Sequence, residues 1–141
     1  MSLEAYVFLN RATLPTAAVW GTAIHDHGFA VFFDADFDPL KDTGFVPCRC
    51  AGFEAGFEYY LHSRDAVASA YPVLKPLIDG YDSAVSFVWS GQPADCATAI
   101  AAAAVLTSLS SGLMYDPQDD ARMSGPEAVD YARCTIVELM K

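Results

Sequence analysis

Alternating apolar and polar residues predict two β-strands in the middle of the chain. From Phe53 to His62 the residues follow the period of two that places successive side chains on opposite faces of a strand. The apolar face would belong to the core and comprises Phe53, Ala55, Phe57, Tyr59 and Leu61. The other face would be solvated and comprises Glu54, Gly56, Glu58, Tyr60 and His62. The segment Ser83 to Ser90 alternates in the same way, with Val85, Phe87 and Trp89 on one side.

Shorter apolar runs predict three further strands. These runs are Glu4 to Asn10, Phe29 to Phe33 and Gly112 to Asp116. Between the second run and Phe53, residues 40–52 include Gly44, Pro47 and Gly52. Glycine and proline favour turns, so this segment is predicted to be a loop or an irregular hairpin.

Four helical segments separate or follow these strands. Thr13 can cap a first helix that ends before Gly28, and its apolar face would contain Trp20 and Ile24. Ser63 can cap a second segment, which Pro72 would kink or divide into two short helices. Residues 93–110 predict an alanine-rich helix. Its most apolar part, Cys96 to Leu109, is shorter than the roughly 20 residues of a membrane span and contains threonines, so we expect a buried helix. A Ser-x-x-Glu capping box, residues 124–127, opens a terminal helix.

This order of elements predicts one α+β domain over residues 1–141. The succession β-α-β, β-α-β, α-β-α is similar to a ferredoxin-like split βαβ core with a C-terminal α-β-α extension. The length suits a single hydrophobic core, and 53% hydrophobic residues are enough to fill it. We expect Trp20, Ile24, Phe57, Phe87 and Trp89 to share that core.

The charge of the chain restricts its partners. Eighteen acidic and eight basic residues give a formal net charge of −10, and no run of lysine and arginine is present. Nucleic-acid and anionic membrane partners are therefore disfavoured, whereas a basic protein or a cationic ligand would be attracted. The first residues do not have the pattern of a secretory signal, and four cysteines suit free thiols in a reducing compartment. We expect a cytoplasmic location.

Two sets of residues could support catalysis. Cys48 or Cys50 with His62 and Glu58 could form a thiol, imidazole and carboxylate set. The apolar run before Asp34 and Asp36 resembles the Asp-x-Asp signature of haloacid-dehalogenase-type phosphatases, and this resemblance covers only that segment. It implies an enzyme in which the first aspartate attacks phosphorus and the second is an acid or base.

The histidines and cysteines do not predict a metal site. His25 and His27 lie two residues apart on a helix, so their side chains point in different directions. Cys48 and Cys50 lack the two-residue gap of common zinc knuckles. We therefore expect no bound metal and no other cofactor.

The predicted solvated strand face is the strongest candidate for binding a partner. It combines the aromatic ring of Tyr60 with charged or titratable groups, a composition typical of protein recognition surfaces, although an ordinary solvated face has the same pattern. The candidate contact residues on this strand are Glu54, Glu58, Tyr60 and His62. The aspartates at positions 34, 36 and 38 would add to the negative field, so the remaining candidates are Asp34, Asp36 and Asp38.

Two short stretches and the order of elements give the chain a family resemblance. Gly56 to Tyr60 and Gly112 to Gln118 are similar to segments of the small acidic immunity proteins that bacteria pair with toxins. This resemblance implies a non-catalytic protein that neutralises a binding partner. The leading interpretation of the sequence is thus a protein–protein interaction domain with a basic partner, and the alternative is a small-molecule-binding domain or a small enzyme.

Overall fold

The computed structural model of the protein describes residues 3–34 and 36–139, and it confirms the α+β class. The strands in these residues are β1 (Leu3–Leu9), β2 (Val31–Phe33), β3 (Gly44–Cys50), β4 (Phe53–Ser63), β5 (Ser83–Trp89), β6 (Leu113–Asp116) and β7 (Ala121–Met123). The α-helices are α1 (Ala17–Asp26), α2 (Arg64–Ala68), α3 (Lys75–Ile78), α4 (Pro93–Ser110) and α5 (Gly125–Leu139). Single 3₁₀ turns cover Arg11–Thr13 and Pro72–Leu74, so the second predicted helix is indeed divided at Pro72.

The strands form one antiparallel sheet in the order β2-β3-β4-β5-β1-β6-β7. Strand β1 lies between β5 and β6, which α4 connects, so this part of the chain is a β-α-β unit split by a third strand. The segment predicted as a C-terminal extension is integral to the domain, because α4 is buried in the core and β6 pairs with β1. The assignment of the whole chain to the ferredoxin-like fold stays a prediction.

One face of the sheet, here called the inner face, carries the main hydrophobic core. The five residues predicted to share a core all belong to it, and each is at most 4% exposed: Trp20, Ile24, Phe57, Phe87 and Trp89. Helices α1 and α4 contact each other over this face, and α5 packs against α4. The indole nitrogen of Trp20 donates a hydrogen bond of 3.0 Å to the carbonyl of Ala102, which joins α1 to α4 inside the core.

Helix α4 fills the centre of the domain because most of its side chains are small. Its 18 residues are apolar enough to span a membrane by length and composition, with a mean hydropathy of 1.3, yet 67% of them are buried within the protein. Burial on nearly all sides is typical of the core helix of a globular domain. The prediction of a buried helix is confirmed.

The opposite face of the sheet, here called the outer face, is covered only in part. Helices α2 and α3 and the 3₁₀ turn between them pack their apolar side chains on one region of this face. The cluster that results contains Tyr6, Phe8, Val67, Leu74, Ile78, Ala84 and Tyr115. Strands β2 and β3 and the outer side of the first half of β4 lie beyond this cluster. An uncovered sheet surface is therefore left at one end of the domain.

The segment predicted as a loop or irregular hairpin is mostly the regular strand β3, which pairs with β4 over its whole length. Ala51 and Gly52 connect the two strands with φ angles of 51° and 86°. Two positive φ angles define a type I′ turn, whose twist suits a tight hairpin and whose second position favours glycine. Strand β5 pairs with β4 only from Glu58 onward, so the end of the hairpin extends past β5. Phe53, expected in the core, is therefore 63% exposed.

Two other boundaries differ from the sequence prediction. Helix α1 is capped by Thr16, whose hydroxyl accepts a hydrogen bond from the Val19 amide, whereas Thr13 lies in the preceding 3₁₀ turn. Strand β7 was not predicted, and it forms within a polar stretch of the chain because it pairs with β6. At the start of α5, the Glu127 carboxylate accepts a hydrogen bond of 3.1 Å from the Ser124 amide, as the capping box requires.

Candidate functional site: an acidic and aromatic sheet face

The uncovered part of the outer face brings aromatic and charged side chains from three strands together. Phe32, Arg49 and Glu54 are paired neighbours across β2, β3 and β4. Phe45 on β3 is paired with Glu58 on β4. The exposed residues of this surface are Phe32, Phe45, Arg49, Glu54 and Glu58. Half-buried Tyr60 and His62 continue it along β4 toward the covered region, and the seven residues are here called the open patch.

Two of these aromatic side chains are exposed to an unusual degree. Phe32 is 54% exposed and Phe45 is 65% exposed. Exposed apolar residues that occur singly are ordinary on protein surfaces, but aromatic groups that line one concave surface indicate a binding site. Both side chains contribute to the wall of the same cavity.

The position of Phe45 depends on a close approach to the backbone of β4. A side chain at Gly56 would collide with the ring of Phe45 and with the carbonyl oxygen of Val46. Glycine at this position therefore allows the ring to lie against the strand. The ring fills the space beside Gly56 and still presents most of its surface to solvent.

Glu58, Tyr60 and His62 form the other end of the open patch. The hydroxyl of Tyr60 donates a hydrogen bond of 2.6 Å to Glu58 Oε1, and this bond raises the pKa of Tyr60, so the phenol stays a donor. The rings of Tyr60 and His62 have centroids 6.2 Å apart. His62 Nε2 lies 2.9 Å from the Ser86 hydroxyl. These contacts hold the three side chains in one orientation on the surface.

The acidic loop after β2 is attached to the core by two aromatic residues. Phe37 is buried against Trp20 and Tyr59. The buried hydroxyl of Tyr59 donates a hydrogen bond of 2.7 Å to the carbonyl of Pro39. The loop that carries the aspartates therefore has a defined position beside the open patch.

The three aspartates of this loop have different surroundings. Asp34 accepts a hydrogen bond of 2.9 Å from the Asp36 amide, and both residues are exposed. Asp38 is half-buried, and its carboxylate accepts a hydrogen bond of 3.0 Å from the Leu40 amide. Asp34 and Asp36 are thus available for contact, while Asp38 also shapes the loop.

A cavity of about 670 Å³ lies at the hairpin end of the open patch. Its charged lining residues are Asp34, Arg49, Glu54 and Asp95, which give a formal charge of −2. Phe32 and Phe45 supply its exposed aromatic walls. A neighbouring groove of about 310 Å³ shares Asp34 and Phe45 and continues to the acidic loop. Cavities of this size accommodate small molecules or individual side chains.

The sequence predicts part of this surface. Glu54, Glu58, Tyr60 and His62 lie on the outer face of β4, as their alternation indicates. Phe32, Phe45 and Arg49 were not among the predicted residues. For Phe45 and Arg49 the signal is the alternation of β3, which buries Val46, Cys48 and Cys50, and the glycine and proline of this strand obscure it. Phe32 lies on the three-residue strand β2, which is too short to show a clear alternation.

The structure does not bring the predicted thiol, imidazole and carboxylate together. Cys48 and Cys50 are buried in the inner-face core, whereas His62 and Glu58 lie on the outer face. Burial raises the pKa of the Cys48 thiol to about 12, which leaves essentially no thiolate at neutral pH. A nucleophilic cysteine assisted by His62 is incompatible with this arrangement.

Asp34 and Asp36 follow an edge strand of an antiparallel sheet. Among the described residues, the Asp36 amide donates a hydrogen bond to the Asp34 carboxylate. Within residues 3–34 and 36–139, no group of three or more histidine, cysteine, aspartate or glutamate side chains could hold a metal ion.

Comparison of the chain with models of protein families, with curated proteins and with solved structures finds no match. The function therefore has to be inferred from the chemistry of the open patch and the adjoining loop.

Proposed function

We propose that the protein is a non-catalytic protein–protein interaction domain that binds a basic partner through the open patch. The observation that supports this function best is the combination, on one uncovered sheet face, of exposed Phe32 and Phe45 with Glu54, Glu58 and the aspartates of the adjoining loop. Aromatic groups provide contact area at protein interfaces, and carboxylates select and steer a partner of opposite charge.

The charge of the whole molecule supports the same kind of partner. A net charge of −10 attracts a basic surface over distances longer than direct contacts. The resemblance to bacterial immunity proteins adds the expectation that binding neutralises the partner. The four cysteines are free thiols, a state that suits a reducing compartment, and we place the domain in the cytoplasm on that basis.

The alternative of a small enzyme has less support. A cysteine nucleophile would need His62 as its base, and the sheet separates His62 from both cysteines of the inner face. A small ligand could occupy the cavity beside Phe45, but such a ligand would also have to suit its acidic and aromatic lining.

Capture from a lysate of the source cells tests the proposed function. The immobilised wild-type protein is compared with Tyr60→Ala, which removes contact area from the open patch, and with Val137→Ala, which changes an exposed residue on α5. We expect wild type and Val137→Ala to retain the same basic protein and Tyr60→Ala to release it about tenfold faster, because aromatic anchor residues carry a large share of interface energies. Equal retention by all three proteins, or no captured protein, would contradict the proposal.

A further inference from the structure

The cavity beside Phe45 has the chemistry to hold one particular kind of side chain from the partner. Its exposed walls are two phenylalanine rings, and its carboxylates outnumber its single arginine by three to one. An aromatic ring attracts a cation through its negative face, and a carboxylate forms charge-assisted hydrogen bonds with the same cation. A neutral apolar side chain could pack against the rings, but it would gain neither the cation–π attraction nor the hydrogen bonds to the carboxylates.

The carboxylates of the cavity are not equivalent. Asp95 Oδ1 accepts a hydrogen bond of 3.0 Å from the Gly56 amide, and Oδ2 accepts one of 2.6 Å from the Ser90 hydroxyl. Glu54, by contrast, is exposed and its carboxylate has no hydrogen bond or ion pair with any other described residue. Both Asp95 oxygens therefore already accept hydrogen bonds from the protein, whereas the Glu54 carboxylate is available to accept hydrogen bonds from a bound cation.

The single arginine of the cavity is turned toward the hairpin turn. Arg49 Nη2 donates a hydrogen bond of 3.1 Å to the carbonyl of Gly52. This bond directs the guanidinium along its own hairpin, and no ion pair joins Arg49 to Glu54 among the described residues. The Glu54 carboxylate is consequently left without an internal counterion.

We infer that this cavity is a receptor for an arginine side chain of the protein partner, with Phe32 and Phe45 contacting the guanidinium plane and Glu54 accepting its hydrogen bonds. A guanidinium fits this combination best, because it is planar, stacks on aromatic rings and presents a fork of donors to a carboxylate. The inference rests on the proposed function, which supplies the basic partner. It adds that a single arginine enters the cavity at the hairpin end of the open patch.

A titration with blocked arginine, N-acetyl-arginine-N-methylamide, tests the inference without the partner. Blocked citrulline is the control ligand, since it has nearly the same shape and no charge. Binding is followed by two-dimensional NMR of the backbone amides. We expect arginine to shift the amides of Phe32, Phe45 and Glu54, and we expect citrulline to leave them unchanged up to its solubility limit.

Variants connect the shifts to the cavity. Glu54→Gln and Phe45→Ala are each expected to weaken arginine binding about threefold or more, the effect of losing one exposed ionic or cation–π contact. The matched controls Asp119→Asn, on the turn after β6, and Leu77→Ala, on α3, should leave it unchanged. Absent shifts, equal binding of citrulline, or equal affinity in the Glu54 and Asp119 variants would overturn the inference.

The two proposals fail in different ways. If arginine does not bind but the captured partner still depends on Tyr60, the arginine receptor is wrong and the interaction domain stands. If arginine binds the cavity but no partner is retained through the open patch, the cavity recognises a free cationic ligand and the proposed function is wrong.

Discussion

Two acidic residues at the same end of the sheet have different roles because their surroundings differ. Both oxygens of Asp95 accept hydrogen bonds from the protein, whereas the exposed carboxylate of Glu54 has no such bond among the described residues. A satisfied carboxylate stabilises the fold, and an exposed unpaired one contributes little to stability and remains available for a ligand. Substitution of Glu54 should therefore change binding and not folding.

The cysteines give a prediction about chemical reactivity. Cys48 is 6% exposed, and burial raises its pKa to about 12. It therefore remains a thiol even at a pH well above the ordinary pKa of a cysteine. Alkylation of the folded protein by iodoacetamide at pH 8, followed by mass spectrometry, should modify exposed Cys134 and leave Cys48 unmodified. In urea both should react. Modification of Cys48 at the rate of Cys134 in the folded protein would contradict the buried inner-face position.

The identity of the outward residues on β4 could be predicted from the sequence, but their neighbours could not. Alternation assigns Glu54 and Tyr60 to one face of their strand without reference to any other element. Phe32 becomes a neighbour of Glu54 only because β3 pairs with both β2 and β4. Strand pairing is a long-range property, so the cavity that these residues line has no local signal.

At the scale of elements, the N-terminus of α4 is joined to a part of β4 that pairs with β3 but that β5 does not reach. Strand β5 ends before Gly56, and the Asp95 side chain takes the place of a neighbouring strand by accepting the hydrogen bond of the Gly56 amide. The hairpin therefore keeps its position relative to the core although it extends past β5. Because Phe45 lies against Gly56, the same contact also positions one wall of the cavity.

Replacement of Asp95 tests this connection. Asp95→Ala leaves the part-buried Gly56 amide without its partner, and we expect a loss of about 1–3 kcal/mol in the free energy of unfolding. Urea unfolding followed by tryptophan fluorescence measures it. Asp119→Ala is the control, and its effect should stay within about 0.5 kcal/mol because the residue is exposed. An equally small effect at Asp95 would show that the hairpin does not need this hydrogen bond.

Helices and strands with strong local patterns were predicted well, and elements that depend on pairing were not. Residues 93–110 form the predicted helix because proline opens it and alanine favours it throughout. Strand β7 has only three residues, and its pairing with β6 outweighs the polar composition that predicts a loop. The central position of α4 likewise follows from strand order, which a single sequence does not encode locally.

At the scale of the whole molecule, the distribution of apolar cover separates the two faces of the sheet. The inner face is covered by α1 and α4, whereas α2 and α3 cover only the region of the outer face around Phe8. The uncovered region carries the open patch and adjoins the acidic loop. The net charge of −10 surrounds this region with a negative field, so a basic partner would be attracted before it makes contact.

The dependence of the association rate on salt tests the open patch as the binding surface most directly. The association rate of the captured partner is measured with wild type, with Glu54→Lys and with Asp119→Lys. The Asp119 variant is the control, because it reverses a charge at the other end of the sheet. Steered association slows as salt screens the charges, so we expect the wild-type rate to fall about tenfold or more between low and high salt. Glu54→Lys should slow association at low salt well beyond Asp119→Lys, with unchanged folding stability. A rate that does not depend on salt, or equal rates for the two variants, would contradict the account.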